Sequence, residues 1–368
     1  MRRHGCRAGR TAQPTRSGSA VKRLGAAIQG IAMKALTITR FRKKGIDNVQ
    51  LPDVPVPQPK QGQVLVRMKA AAFNPADLHI AHGAMALLSP VKPPMAMGMD
   101  GAGIVEAVGV GVREFQKGDE ICFYTGLVWC ASFAEYAVVD ASSCAPKPAQ
   151  WSFAQAASAS LALLCADLAL ERGGVGKGQR ILVHAGGGSV GAAAIFLAAQ
   201  RGAVVETTGS QRDLGFVRNL GAEVMHDYRE TPLSRLPRSR YDIVLEGMGD
   251  QMFLDSVPLI KKGGSIVSLK IVTGLEDLKR IGMQPPGFFK FLLPLITGKF
   301  TRTAKKAGVR VVGVATYQDG KRLASLTQFA ANQGYTPRID RTYELSQALI
   351  ALKHFADGKP RGKVVVEM

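Results

Sequence analysis

Residues 184–191 read HAGGGSVG, and what flanks them decides the fold. Before them stands RILVHA, an apolar strand pattern; the stretch SVGAAAIFLAAQRG, which opens inside them, is a helix pattern ending in glycine. Gly186, Gly188 and Gly191 fit the spacing G-x-G-x-x-G across that strand-to-helix junction. Gly186 allows a tight turn, Gly188 a close approach of backbone to a pyrophosphate, and Gly191 close packing of helix on strand. Gly187, Ser189 and Val190 complete the loop, whose helix start offers unpaired N–H groups and partial positive charge to phosphates. In a chain with 41 glycines the spacing alone says little. Between a strand and a helix it predicts a bound dinucleotide.

The pattern continues outward from the loop. AVVETT, EVMHD, DIVLEG, SIVSLK and VRVVGVA read as strands, with RDLGFVRNLG and QMFLDSVPLIKKGG as helices between them. Alternation of this kind predicts a doubly wound parallel sheet. Upstream of Trp151 the style differs: KALTITRF, QVLVRMKAAAF, GAGIVEAVG and AEYAVVD are short strands joined by Pro- and Gly-rich turns. WSFAQAASASLALLCADLALERGG is a small-residue helix linking the two regions. The tail, YELSQALIALKHFADG followed by GKVVVEM, is too short for a domain and is expected to return to the first region.

Which dinucleotide binds depends on the tip of the strand after the loop. An NAD site carries a carboxylate there for the ribose 2′-hydroxyl, about 20 residues beyond the first glycine. Here the tip reads Thr208, Gly209, Ser210, Gln211, Arg212, without an acid. Hydroxyls and a guanidinium suit a 2′-phosphate and predict NADP(H). Glu206 is the rival: a strand ending two residues earlier makes it an NAD-type carboxylate.

The chain has 368 residues, 46% of them apolar and 21% charged, a balance that fits a two-domain globular protein. No uninterrupted apolar run reaches the roughly 18 residues of a membrane span. Five cysteines (6, 122, 130, 144 and 165) show neither paired spacing nor a histidine cluster, a usage expected of a reducing, cytoplasmic compartment. The net charge is +20, and seven of those charges lie in residues 1–33, where there is no acid. That Arg-rich leader reads as disordered, either an over-long start ahead of Met33 or a mitochondrial transit peptide. Residues 279–310 hold eight Lys/Arg and no Asp/Glu around FFKFLLPLI. One reading is a flap over a substrate cleft; the other is contact with a lipid surface or lipid-like quinone. No nucleic-acid-binding module is recognisable. MALLSPVKPPM and the flap point to an apolar pocket for a small electrophile. Tyr124, at the end of a strand pattern, has a hydroxyl able to donate a proton.

AAFNPADLHIAHG, GMDGAGIVEAVGVGVREFQKGDEI, HAGGGSVG, LGAEVMHDYRE, YDIVLEGMG and RGKVVVEM occur in the order seen in one family. Over residues 33–368 the chain resembles the zinc-independent quinone oxidoreductase branch of the medium-chain dehydrogenase/reductase superfamily. The resemblance implies an α/β protein with a mostly β GroES-like catalytic domain over 33–155, completed by 336–368. A Rossmann domain over 156–335 would carry NADP(H). It implies that Tyr228 joins Ser210 and Arg212 around the 2′-phosphate and that Lys363 reaches the cofactor phosphates. Asp213 stands where such sites often carry a lysine. Asn74 and Asp77 of NPAD would face the nicotinamide, and His79, where quinone reductases often carry a tyrosine, would donate or relay a proton. Asp100 is read as holding the glycine-rich turn that follows it. Members commonly form homodimers through the last Rossmann strand, here VRVVGV.

The zinc-dependent members carry ligands where this chain has Asn74, Met99 and Leu161, which do not make a catalytic zinc site. Met85 falls where enoyl-thioester reductases carry a tyrosine, which argues against a thioester substrate. The expected activity is NADPH-dependent, zinc-independent reduction of a quinone or an α,β-unsaturated carbonyl. A silent NADP-binding protein and a zinc-independent alcohol oxidoreductase are the alternatives.

Overall fold

The protein is described by a computed structural model covering residues 31–42, 45–84, 86–88, 91–127, 131–271, 274–358 and 360–368. The basic leader, with the two readings of its role, and Met85 lie outside the described residues.

Two sheets organise the chain. One is parallel and six-stranded, in the order Val224–Asp227, Val204–Gly209, Arg180–Val183, Tyr241–Glu246, Ile260–Ser268, Arg310–Gly313. The chain leaves the central strand Arg180–Val183 toward one edge first and then crosses to the other. That reversal opens a crevice at the carboxyl ends of the strands, where ligands of such sheets bind. The other sheet is mostly antiparallel and is built around Gln63–Ala72, which pairs with Asp100–Val108 and Tyr136–Asp140. Its free half is covered by the C-terminal strand Lys363–Glu367, with Val365 opposite Ala72. Val364, Val365 and Val366 are fully buried there, so the last residues of the chain are core of the first region.

Helix Phe153–Gly173 joins the two units. Ser152 and Gln155 form a capping box at its start, and Gly174 ends it in the left-handed region at φ 76°. By length and composition this helix is able to cross a membrane, yet most of it is packed inside the protein. Its alanines and serines let it lie close to helix Ser189–Gln200 on one side and to the antiparallel sheet on the other.

Two elements differ from the sequence pattern. QMFLDSVPLIKKGG is not one helix: Asp250–Ser256 is helical, a 3-10 turn follows at Val257–Leu259, and strand Ile260–Ser268 begins immediately. Pro258 lacks the N–H a continuing helix needs. In the tail, Ile339–Glu344 is a strand beside Lys363–Glu367. Its charged, half-exposed sequence IDRTYE hides it from any apolar-pattern reading.

Candidate active site

The glycine loop is shaped by backbone crowding. A Cβ at Gly186 would lie 2.2 Å from Thr207 Oγ1, and one at Gly191 2.3 Å from the Ala185 carbonyl oxygen. Both positions therefore need glycine for the fold alone. Gly188 differs: a Cβ there meets only the Ala185 carbonyl oxygen, at 3.3 Å, and its φ of −83° suits any residue. The fold does not demand a glycine at 188; an approaching ligand would. Gly188 caps helix Ser189–Gln200 at its N-terminus, so the free N–H groups of the first turn stand at the mouth of the crevice. Val190 packs against the core and Ser189 opens the helix.

Gly187 and Gly188 line a cavity of about 1090 Å³ at the carboxyl ends of the parallel strands, together with Ser210, Arg212 and Tyr228. These five of the residues expected at the cofactor phosphates thus share one space. Asp227 fixes two of the loops: its carboxylate accepts from Gln211 N–H at 2.8 Å and Arg229 N–H at 2.9 Å. The Arg229 guanidinium lies 5.4 Å from the Tyr228 ring centre.

Asp213, in the same cavity, is held by its neighbours. Ser210 Oγ donates to it at 2.7 Å, Arg338 Nη1 at 2.7 Å, and Arg361 Nη2 lies 3.5 Å away. Burial opposes its charge, but these partners outweigh burial and lower its pKa. Arg361 also donates to the Arg212 carbonyl at 2.8 Å. Arg338 and Arg361 bring cations from the C-terminal segment to the cavity. Sequence reasoning missed both, because no local motif marks an arginine more than 100 residues from the loop it meets.

Glu206 is not at the crevice. It is fully buried in mid-strand, and its carboxylate accepts from Arg180 at 2.6 Å, Arg240 at 2.6 Å, Tyr241 at 2.7 Å and His226 at 2.8 Å. Arg180, Arg240 and Tyr241 come from the amino ends of neighbouring strands, away from the crevice. Burial would raise its pKa; the bonds from His226, Arg240, Tyr241 and Arg180 reverse that and hold it far below the carboxylate range.

The second half of the site lies where helix Pro75–Ala81 starts. Asn74 caps it, with Asp77 Oδ2 accepting from Asn74 N–H at 2.8 Å. Asn74 Nδ2 donates to Asp100 Oδ1 at 3.0 Å and to the Ala72 carbonyl at 3.0 Å. Lys363 Nζ donates to Asn74 Oδ1 and lies 3.6 Å from Asp100 Oδ2. Lys363 is only 4% exposed and is bonded into this cluster, outside the lining of the glycine-loop cavity. Asp100 does not hold the turn after it but bonds Asn74 across two strands. Asp77 and Asp100 are fully buried. Burial, then the Asp100 charge, pushes the Asp77 carboxyl up to about 7.

His79 is exposed on the same helix. Partial desolvation first, then the nearby Lys270 ammonium from the parallel-sheet unit, lowers its pKa. Tyr124 is buried and its hydroxyl donates to the Thr316 carbonyl at 3.2 Å. Burial drives its pKa well up. The hydroxyl expected to donate a proton is thus bonded within the fold.

These residues do not fit a catalytic zinc. Asn74 is spent on its cap and on Asp100 and Lys363, and Met99 is buried in the core. Among the described residues no group of three His, Cys, Asp or Glu is placed to hold a metal ion.

A parallel sheet with a glycine loop at its switch point, joined to a β unit that presents a polar buried cluster, is the build of a nicotinamide-dependent oxidoreductase. Two family profiles match the chain: the alcohol dehydrogenase GroES-like domain over residues 60–149, and zinc-binding dehydrogenase over residues 220–366. The chain is 37% identical over 254 residues to the chloroplastic NADPH-dependent alkenal/one oxidoreductase of Arabidopsis thaliana, covering 66% of this chain and 62% of that relative. To the 2-methylene-furan-3-one reductase of Solanum lycopersicum it is 31% identical over 349 residues, covering 91% of this chain and 79% of the other. The quinone oxidoreductase of Coxiella burnetii superposes with a TM-score of 0.78 at 29% identity, over 92% of this chain and all of that one. Mycobacterial Rv1454c complexed with NADPH superposes with a TM-score of 0.74 at 26% identity, over 91% and 100%. The chain belongs to the medium-chain dehydrogenase/reductase superfamily, with its quinone and alkenal/one oxidoreductases.

Proposed function

We propose that the protein transfers hydride from NADPH to an apolar α,β-unsaturated carbonyl or quinone. The carrying observation is the cavity shared by Gly188, Ser210, Arg212 and Tyr228, with no free carboxylate at its strand tip. When bound, the cofactor supplies the hydride. The glycine loop and helix Ser189–Gln200 hold its pyrophosphate. Ser210, Arg212 and Tyr228 take the 2′-phosphate, and Arg361, fixed to the Arg212 carbonyl, adds charge beside them. The sequestration of Glu206 supports NADP(H) over NAD(H), because the one rival carboxylate points away from the crevice.

At the other end, the Asn74–Asp77–Asp100–Lys363 cluster is a rigid floor. Its side chains are bonded to one another, which fixes the start of helix Pro75–Ala81 against the crevice. The proton that follows hydride addition comes from solvent. His79, exposed on that helix, hands it on from water. The activities for which the Arabidopsis and tomato relatives are named, alkenal/one and methylene-furanone reduction, support a conjugated carbonyl acceptor.

The test is turnover of NADPH with a panel of enals, enones and quinones, read at the nicotinamide absorbance. Turnover with at least one member is expected; cofactor binding without turnover on any member would favour a silent binding protein.

A further inference from the structure

Residues 275–310 join the last two strands of the parallel sheet, and the structure divides them in two. The first part closes on the catalytic unit: Leu278, Ile281 and Met283 are buried with Ala315 and pack against Leu88 and Leu127. The Gln284 N–H donates to the Leu88 carbonyl at 2.9 Å.

The second part is helix Phe289–Lys306. Its inner side is carried by Phe300 and Ala304, packed with Phe253, whose ring meets Phe300 edge-on at 5.3 Å. On the outer side Phe288, Phe291, Leu292, Leu295 and Ile296 are all exposed, Phe291 by 69% and Leu295 by 77%. Their spacing is that of a single helical stripe, one position every three or four residues. The same stripe runs on into Lys299, Arg302 and Lys306, also exposed. The buried side of the helix, carried by Phe300 and Ala304, is a different one, so this apolar row faces outward. Contiguous apolar surface of this kind marks an interaction site.

We propose that this helix docks the protein on an anionic lipid bilayer. Phe288, Phe291, Leu292, Leu295 and Ile296 enter the headgroup–acyl boundary, and Lys299, Arg302, Lys305 and Lys306 meet the lipid phosphates. Charge selects this occupant over a second copy of the chain. Residues 279–310 hold eight Lys/Arg and no Asp/Glu, so two copies meeting at this face would oppose like charges with no carboxylate of the segment between them. The proposal is independent of the reductase reading, and its test does not use turnover.

The experiment is co-sedimentation of the full chain with vesicles of phosphatidylcholine containing about one third phosphatidylglycerol, against phosphatidylcholine alone, at low and high salt. Wild type should pellet with the anionic vesicles, at least tenfold less with neutral ones, and lose binding as salt rises. Phe291→Glu/Leu295→Glu and Lys299→Glu/Arg302→Glu should each abolish binding; the basic leader, common to all three proteins, is controlled by the comparison. Because these side chains are exposed, melting temperature and sedimentation coefficient of the free protein should not change. Absence of wild-type binding, equal binding to neutral vesicles, or wild-type binding by the Phe291→Glu/Leu295→Glu protein would overturn the proposal. A changed sedimentation coefficient in that variant would make the stripe a contact between copies and also overturn it.

Discussion

Lys363 Nζ lies 3.6 Å from Asp100 Oδ2, and the two residues, 263 positions apart, are both buried beneath the start of helix Pro75–Ala81. The final strand thus brings one cation to a place that holds two carboxyl groups, Asp100 and Asp77. One lysine does not compensate two buried carboxylates, and burial raises the pKa of both Asp77 and Asp100.

Stability should therefore fall as pH rises through this cluster. The Asp77 pKa is about 7 in the fold against an ordinary 3.8, so between these values the folded state keeps a proton that the unfolded chain has lost. Its contribution is complete below about pH 4 and gone above about pH 7. Asp77→Asn should flatten that slope by on the order of 1–3 kcal/mol, measured by denaturant unfolding at several pH values. His184, lowered to about 4 by burial, acts in the opposite direction but is common to both proteins. Parallel pH profiles for the two proteins would contradict this account.

The two ends of the glycine loop should respond differently to substitution. Gly188→Val should leave the cofactor-free melting temperature within a few degrees of wild type yet remove stabilisation by NADPH, which otherwise grows as RT ln(1 + [L]/Kd). Gly191→Ala should lower the cofactor-free melt, by roughly 1–3 kcal/mol, because its Cβ would sit 2.3 Å from the Ala185 carbonyl oxygen. Retained NADPH stabilisation in Gly188→Val would reduce the loop to a structural turn.

Cofactor preference should lie in the cavity and not in the strand. NADPH should bind at least tenfold tighter than NADH, about 1.4 kcal/mol, and Arg212→Ala should erase most of that difference in a titration. Glu206→Gln should leave the preference unchanged but cost about 2–4 kcal/mol of stability, since Arg180 and Arg240 lose their shared carboxylate. A switch toward NADH in Arg212→Ala together with a switch in Glu206→Gln would return Glu206 to the cofactor site.

Metal removal should be silent. Incubation with a strong chelator is expected to change neither melting temperature nor turnover, and elemental analysis should find no stoichiometric zinc. Activity lost to the chelator and restored by zinc would refute the reading of Asn74, Met99 and Leu161.

The sequence by itself determined the class of fold and the placement of the dinucleotide loop. Both are local: HAGGGSVG between a strand and a helix needs only neighbours within about 20 residues to be legible, because glycine spacing and hydrophobic periodicity are short-range signals. The glycines' separate duties, severe crowding at Gly186 and Gly191 but a single 3.3 Å contact at Gly188, appear only when Thr207 and Ala185 are in place around them. Glu206 shows the limit most clearly. Its distance from the glycines left it a candidate for the ribose, and only the meeting of Arg180, Arg240 and Tyr241, at the starts of two other strands, took it out of the crevice. Lys363, Arg338 and Arg361 were decided the same way, by pairing and packing between segments more than 100 residues apart. Side-chain direction at such positions is set by which strand lies alongside, and sequence spacing carries no record of that.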